Sequence, residues 1–385
     1  MNQDIKYGVG LMSGTSLDGV DAALVKITGY GENTQIDLLG FSNEDMDKGL
    51  KKEIKECCSP TTSSIDKICS LNFKLGYVFA DAVKSVCAKA GFDLKKLDFI
   101  GSHGQTIYHI PKDKNHLNKS TFQIGEPSVI AYETGSLVVS NFRTMDMAAG
   151  GEGAPLVPYT EYLLYKCNKN RVLQNIGGIG NCTIIPADCS IDQIYAFDTG
   201  PGNMIIDEVV QRLKGKKYDY GGKFAAQGKV NEIVLNELLN IEYITKNPPK
   251  TTGREQFGKE FVDNFLKKYN NLKSEDIIAT VTMFTAKSIE INYRKFILNK
   301  YDIDEVIIGG GGSYNSTLID MLKGLLKECR VLTGEDLGMN SDAKEAIAFA
   351  VLANETLKGN CSNIIEATGA KERVVLGNIT PKIRR

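Results

Sequence analysis

Three stretches of this chain gather glycines and hydroxyls, and two of them carboxylates, in the way that anion chemistry requires. The first is "GVGLMSGTSLDGVDAALV", Gly8 to Val25. An apolar run breaks at Ser13, passes through Gly14, Thr15, Ser16, Leu17, Asp18, Gly19, Val20 and Asp21, and turns apolar again. Glycines let backbone N–H groups converge on an anion without side-chain obstruction. Ser13, Thr15 and Ser16 add hydroxyl donors, and Asp18 and Asp21 are suited to hold Mg²⁺ directly or through water. The same residues also suit a plain β-hairpin turn. The chain has no G-x-x-x-x-G-K-[ST], which excludes a Walker-type nucleotide site.

The second stretch is "AFDTGPGN", Ala196 to Asn203. Asp198 ends an apolar run, and Gly200 and Gly202 lead into a helical pattern, "MIIDEVVQRL". A carboxylate at a strand end beside such a turn is well placed as a general base next to an anion site, or as a cap of the turn. The third is "VIIGGGGSYNS", Val306 to Ser316, where glycines after a buried strand, Gly310 and Gly311 among them, bring backbone close to a ligand. A dinucleotide fold would want G-x-G-x-x-G, but Asn315 stands at the last glycine position, and "NIGGIGN" fails similarly, so an oxidoreductase is disfavoured.

Two further loops carry polar groups. In "GSHGQTIYH", His103, Gln105 and Thr106 suit hydrogen bonding to sugar hydroxyls, although a lone His is more often structural. In "NPPKTTGREQF", Lys250 and Arg254 form either a solvated basic turn or a clamp on an anionic substrate.

The elements that must position these residues alternate between strand and helix, which favours an α/β protein. "YGVGLM" and "VDAALVKI" are strands flanking the opening turn, and "RVLQNIGGIGNCTIIP" echoes that hairpin. "KLDFIGSHGQT" reads as a strand running into a loop. Apolar residues at three- and four-residue steps (Ile65, Ile68, Leu75, Phe79, Val83, Val86, Ala90) predict an amphipathic helix, or two in series. "ATVTMFTAKSIEINYRKFIL" and "SDAKEAIAFAVLANETL" predict two more, and Asn315 or Ser316 caps another. The glycine-rich segment Gly125 to Pro158 reads as an interdomain crossover.

Length and composition bound the rest. At 385 residues the chain exceeds the ~250–300 over which single cores usually stop growing, so two domains are expected. The 46 basic against 47 acidic residues give no field for nucleic acid or a membrane surface. No apolar run reaches the ~18 residues of a membrane span, and the start lacks the pattern of a secretion signal. Nine scattered Cys without a C-x-x-C pair, and three His, argue against a zinc framework and for reduced thiols in a cytoplasmic protein.

Two Asp/Gly/Thr turns, one in each half, followed by a late glycine turn, match the order of the actin-like ATPase superfamily, which binds ATP between two RNase H-like domains. The motifs "GLMSGTSLDGVDAALV", "SHGQTIYH", "TFQIGEPSVIAYETG", "DMAAGGEGAPLVP", "NIGGIGN", "FDTGPGN", "PPKTTGREQF" and "DAKEAIAFAVLANETL", in this order, closely resemble the anhydro-N-acetylmuramic acid kinases over essentially the whole chain. That resemblance implies two RNase H-like domains, 1–140 and 141–385, flanking a central ATP/substrate cleft, with the C-terminal segment packing back on the first. It implies a kinase that opens a 1,6-anhydro sugar ring with water and phosphorylates O6 from ATP with Mg²⁺. Asp198 matches the family's catalytic base, Glu345 an acidic residue near the active site, and Gly14 to Asp21 the ATP-phosphate segment. Gly178, Gly200, Gly202, Gly310 and Gly311 join the nucleotide side; His103, Gln105, Thr106, Glu126, Arg143, Lys250 and Arg254 join the sugar side. Asn141 in "SNFR" and Glu152 in "GGEGAP" depart from the family pattern, in which Asp and Gln are commoner. A homodimer is compatible with the family. The alternatives are a kinase of another anhydrosugar such as levoglucosan, and a nucleotide-binding chaperone or filament protein.

Overall fold

The computed structural model describes residues 4–14, 17, 19–114, 116–248, 250, 252–338 and 340–382. The chain opens with three strands, β1 (Ile5–Ser13), β2 (Val20–Thr28) and β3 (Gln35–Glu44). Helix α1 (Ile65–Lys89) follows, then β4 (Phe99–Ile110), β5 (Ser120–Ile124), α2 (Pro127–Thr134), β6 (Leu137–Ser140) and α3 (Phe142–Ala148). A second series comprises β7 (Arg171–Ile176), β8 (Ile179–Ile185), β9 (Tyr195–Pro201), α4 (Asn203–Lys214), α5 (Ser274–Phe296), β10 (Glu305–Gly309), α6 (Ser316–Leu325) and β11 (Arg330–Thr333). The chain closes with α7 (Lys344–Lys358) and β12 (Asn378–Thr380).

These elements form two compact units, residues 1–164 with 342–385, and residues 165–341. The first contains a sheet ordered β12-β6-β4-β1-β2-β3, with β5 paired to β4. Strands β1, β2 and β3 are an antiparallel meander, while β4 and β6 add in parallel on the free edge of β1. The second unit repeats this plan as β11-β10-β7-β8-β9, with β7 to β9 antiparallel and β10 and β11 parallel to β7. An antiparallel three-strand meander extended by two parallel strands is the RNase H-like order, and the echo between the two hairpins in the sequence reflects it.

Helix α1 is a single amphipathic helix whose Leu71, Leu75, Phe79, Val83 and Val86 pack on Val9, Leu11, Leu24 and Ile100 of the sheet. Ile65 belongs to the same periodicity but is 88% exposed, because it lies in the first turn, beyond the sheet's reach. The segment 125–158 is not a crossover: it folds into α2, β6 and α3 within the first unit, which places the unit boundary at 164/165 rather than near residue 140. Asn141 enters α3 in the left-handed region (φ 60°, ψ 43°), which Asn tolerates better than most residues. Among the described residues no helix is long and apolar enough to cross a membrane.

Helix α7 lies directly on the strands. Gly10 of β1 and Gly101 of β4 are register partners. A Cβ at Gly10 would stand 1.8 Å from the Ala346 carbonyl oxygen, and one at Gly101 would stand 2.1 Å from that of Phe349. Two adjacent glycines thus let helix backbone rest on sheet backbone, and this contact sets the position of Lys344 and Glu345 at the helix start.

Candidate active site

In the first unit, the β1–β2 turn is held from below. The Ser13 hydroxyl donates to Gln105 Oε1 at 2.6 Å, and the Leu17 N–H donates to the Gly14 carbonyl at 3.2 Å. Leu17 has positive φ (59°), and its side chain and that of Val20 are buried as apolar anchors. Gly19 passes so close to Asn43 and Glu44 that a Cβ would be 2.7 Å from the Glu44 carbonyl oxygen. Asp21 accepts from Asn43 Nδ2 at 2.7 Å. Thr15, Ser16 and Asp18 lie outside the described residues.

Glu345 is exposed by area, yet burial pushes its carboxyl upward; Lys344 and Arg143 pull it down, and Asp21 and Glu161 push it further up. Solvent screens part of this effect. Asp21 is the like-charge neighbour of Glu345. Among the described residues no three His, Cys, Asp or Glu side chains gather to hold a metal ion, and a Mg²⁺ here would rest on one or two carboxylates plus phosphate oxygens. Lys344 is paired with the buried Glu161.

The expected sugar-side residues divide by environment. His103, Gln105 and Thr106 are not in a loop, because β4 continues to Ile110 by pairing with β5. His103 is 3% exposed and Gln105 1%, and the Gln105 amide oxygen is occupied by Ser13. Thr106 Oγ1 accepts from Gln123 Nε2 at 3.2 Å. Glu126 caps α2, accepting from the Ser128 N–H, and takes a second bond from Asn72; burial raises its carboxyl, but these bonds outweigh that and leave it low. Arg143 donates from Nε to His103 and from Nη1 to the Gly153 carbonyl.

Asp146, which sequence reasoning passed over, is fully buried and accepts from Gly153 N–H, Asn363 Nδ2 and Thr368 Oγ1 at 2.7–2.9 Å. The signal was available: it is the one carboxylate in "FRTMDMAAGG", three residues from Arg143 on the same helix face.

In the second unit, Asp198 lies in a row with Asn181 of β8 and Asn175 of β7 as cross-strand partners. It sits in the middle of β9, which runs on to Pro201, and not at a strand end as expected. A bulge at Thr199 keeps Asp198 in that row. The bulge is anchored from behind: the Thr199 carbonyl accepts from Ser288 and Asn292, and its hydroxyl accepts from Gln174. From the other side, Asp198 N–H donates to the Lys250 carbonyl and the Thr252 N–H donates to Asp198 Oδ2 at 3.0 Å. The backbone around Asp198 is therefore anchored on both flanks, and the Thr252 N–H orients its carboxylate.

The glycines of this unit have mixed duties. The N–H groups of Gly202, Asn203 and Met204 donate to the carbonyls of Gly177 and Gly178, so these amides of the α4 start are spent within the fold. Gly200 (φ 120°) is fixed by Ser288, whose Oγ would be 2.3 Å from a Cβ. Gly310 (φ 77°) presses on Asn175 and Ile176, whereas Gly311 is exposed, with only Asn203 Nδ2 near its Cβ position. Gly311 is the member of the run with room for a ligand. Arg254 is exposed at the start of its own short helix.

Lys250, expected as a clamp, lies inside. It is 3% exposed, its Nζ donates to the carbonyls of Tyr243 and Ile244 at 3.2 Å, and it stands over the rings of Tyr243 and Phe296. Burial lowers its pKa from 10.5 to about 8, with Lys295 and Lys246 adding to the effect and Cys182 and Asp198 opposing it. Between these two values the unfolded chain binds more protons than the folded one, so stability rises with pH there. The cost of the buried charge, on the order of 3 kcal/mol, is present below pH 8. Lys250→Met should abolish that rise and be at least as stable as wild type at pH 7. Denaturation midpoints of both proteins at several pH values from neutral to 10 check this; parallel curves would refute it.

Comparison with known proteins bears on what such a site does. The anhydro-N-acetylmuramic acid kinase family model matches residues 6–382. This chain belongs to that family. An anhydro-N-acetylmuramic acid kinase of Clostridioides difficile (strain 630) is 60% identical over 377 residues, covering 98% of each chain. One of Bacillus cereus (strain ATCC 10987 / NRS 248) is 58% identical over 382 residues, covering 98% of this chain and 100% of the relative. Among solved structures, the activator of the 2-hydroxyisocaproyl-CoA dehydratase from Clostridium difficile aligns over 91% of this chain and 96% of its own, with a TM-score of 0.42 and 11% identity. The family match takes in every motif described above, from the β1–β2 turn to α7.

Proposed function

We propose that this protein is an ATP-dependent kinase that opens the 1,6-anhydro ring of 1,6-anhydro-N-acetylmuramic acid with water and phosphorylates O6. The product is N-acetylmuramic acid 6-phosphate, as expected for recycling of cell-wall sugar in the cytoplasm. The observation that carries the reading is family membership over residues 6–382 at 58–60% identity to relatives of that name.

Asp198 is assigned the general base. Its Oδ2 is fixed by the Thr252 amide, so the carboxylate is oriented before substrate arrives. It takes the proton of a water attacking the anomeric carbon; the new C1–O bond forms as the C1–O6 bond breaks and O6 takes the electron pair. O6 then attacks the γ-phosphorus, and ADP leaves. Phosphoryl transfer of this kind depends mainly on alignment and on donors around the phosphate oxygens. The β1–β2 turn and Gly311 are assigned to the nucleotide. Mg²⁺, held by Asp21 with Asp18 or Glu345, would neutralise phosphate charge when bound. Arg143, with charged donors left over, is assigned the sugar's lactyl carboxylate, and the exposed Arg254 is a second cation for the substrate.

The test is ADP release with ATP and Mg²⁺ in the presence of the muramic sugar, levoglucosan or no sugar. Release only with the muramic sugar is expected. Preference for levoglucosan would move the substrate, and sugar-independent release would favour a chaperone-like or filament-forming ATPase.

A further inference from the structure

Both ring nitrogens of His103 are already in use. Nε2 lies 3.0 Å from Arg143 Nε, and Nδ1 lies 2.8 Å from the Gly104 carbonyl oxygen. Arginine has no acceptor, so Nε2 must be the unprotonated nitrogen and Nδ1 must carry the hydrogen that Gly104 accepts. The ring is 3% exposed and packs against Phe349 of α7 at 4.7 Å between centroids. No nitrogen is left for a sugar hydroxyl. Burial and the neighbouring Arg143 charge lower the imidazole pKa to about 3, so the acceptor survives across the working pH range.

Arg143 is held at a second point, where Nη1 donates to the Gly153 carbonyl at 2.7 Å. The Gly153 N–H in turn donates to the buried Asp146 carboxylate. Among the described residues Nη2 has no hydrogen-bond partner. A guanidinium pinned through Nε and Nη1 has lost its side-chain freedom before any ligand binds, so little ordering cost is left when a carboxylate docks on the Nη2 edge.

We propose that His103 is a positioning residue that sets the preference for an anionic over a neutral anhydrosugar, by holding the Arg143 guanidinium as its hydrogen-bond acceptor. The inference rests on the assignment of Arg143 to the sugar carboxylate. It accounts for a buried histidine inside β4 whose near neighbour Gln105 is already engaged by Ser13 of β1.

The test compares kcat/KM for 1,6-anhydro-N-acetylmuramic acid with that for 1,6-anhydro-N-acetylglucosamine, which lacks the lactyl group. If the neutral sugar is not phosphorylated, its inhibition constant takes its place. His103→Phe keeps a ring against Phe349 and removes the acceptor; His103→Gln restores an acceptor oxygen. The anionic/neutral ratio should fall about 10-fold or more in the Phe variant, mainly through KM, and recover in the Gln variant. An unchanged ratio, or equal losses on both sugars, would overturn the proposal. Arg143→Met separates the two layers. If it too keeps the ratio, the assignment of Arg143 is wrong; if it collapses the ratio while His103→Phe does not, only the positioning role is wrong. The wild-type protein offers a test independent of variant folding. Imidazole ¹⁵N spectra should show His103 as the Nδ1–H tautomer, without titration near pH 6.5. An Nε2–H tautomer, or titration there, would overturn the proposal.

Discussion

Asp198→Asn is expected to lower sugar-dependent ADP release by at least ~10²–10⁴-fold, the usual contribution of a general base, while leaving the protein folded. The substitution is close to isosteric, and the contacts that fix this position are kept. The Asp198 N–H bond to the Lys250 carbonyl and the bond from the Tyr243 hydroxyl to the Asp198 carbonyl use only backbone atoms of residue 198. An asparagine side-chain oxygen can still accept from the Thr252 amide. What is lost is the capacity to take a proton. Because O6 becomes the nucleophile only when the ring opens, both steps should stop together, and ATP hydrolysis without sugar should not rise. Steady-state ADP release, with thermal melting to confirm folding, decides the matter. A variant that melts like wild type and keeps more than a tenth of its kcat would remove Asp198 from the mechanism.

Much of this site was legible because its chemistry is written in contiguous stretches. Asp198 is announced by a carboxylate closing an apolar run before "TGPG", and the helix start found there follows that pattern, whereas the strand runs on through a bulge to Pro201. The two-strand hairpin that opens each sheet was visible twice, but the third strand of the first meander, β3, was not. What was not legible depends on contacts distant in sequence. His103 and Lys250 read as exposed polar groups in loops, since nothing local reveals that β5 extends β4 over one or that Tyr243 and Ile244 supply carbonyls to the other. Asp146 is similar: its partners Asn363 and Thr368 come from more than 200 residues further along the chain. Of the glycines, composition marks a turn but does not say whether the space beside it belongs to a ligand, as at Gly311, or to packing, as at Gly310.

Packing is also the reason for the second large effect expected. Gly101→Ala should destabilise the first unit by ~3 kcal/mol or more, the upper end of what overpacking costs. The added Cβ would meet the Phe349 carbonyl oxygen at 2.1 Å and the Ala353 Cβ at 2.9 Å. The first of these is backbone, which cannot rotate aside, so α7 must lift by about 1 Å or more to restore ordinary contact. That displacement would carry Lys344 and Glu345 with it and loosen Phe349 from the His103 ring, so activity should fall along with stability. Gly324→Ala in α6 is the control: it is exposed, nothing lies within 4 Å of its Cβ position, and alanine there should stabilise by ~0.5–1 kcal/mol. Gly10→Ala should resemble Gly101→Ala, since its Cβ would stand 1.8 Å from the Ala346 carbonyl oxygen. The double variant carries the sharper prediction. One lift of the helix relieves both clashes, so its loss should be smaller than the sum of the single losses. Denaturant melts of the four proteins test this directly. Strict additivity would mean that the two glycines accommodate separate local distortions, and wild-type midpoints in both singles would mean that α7 does not rest on the strands at all.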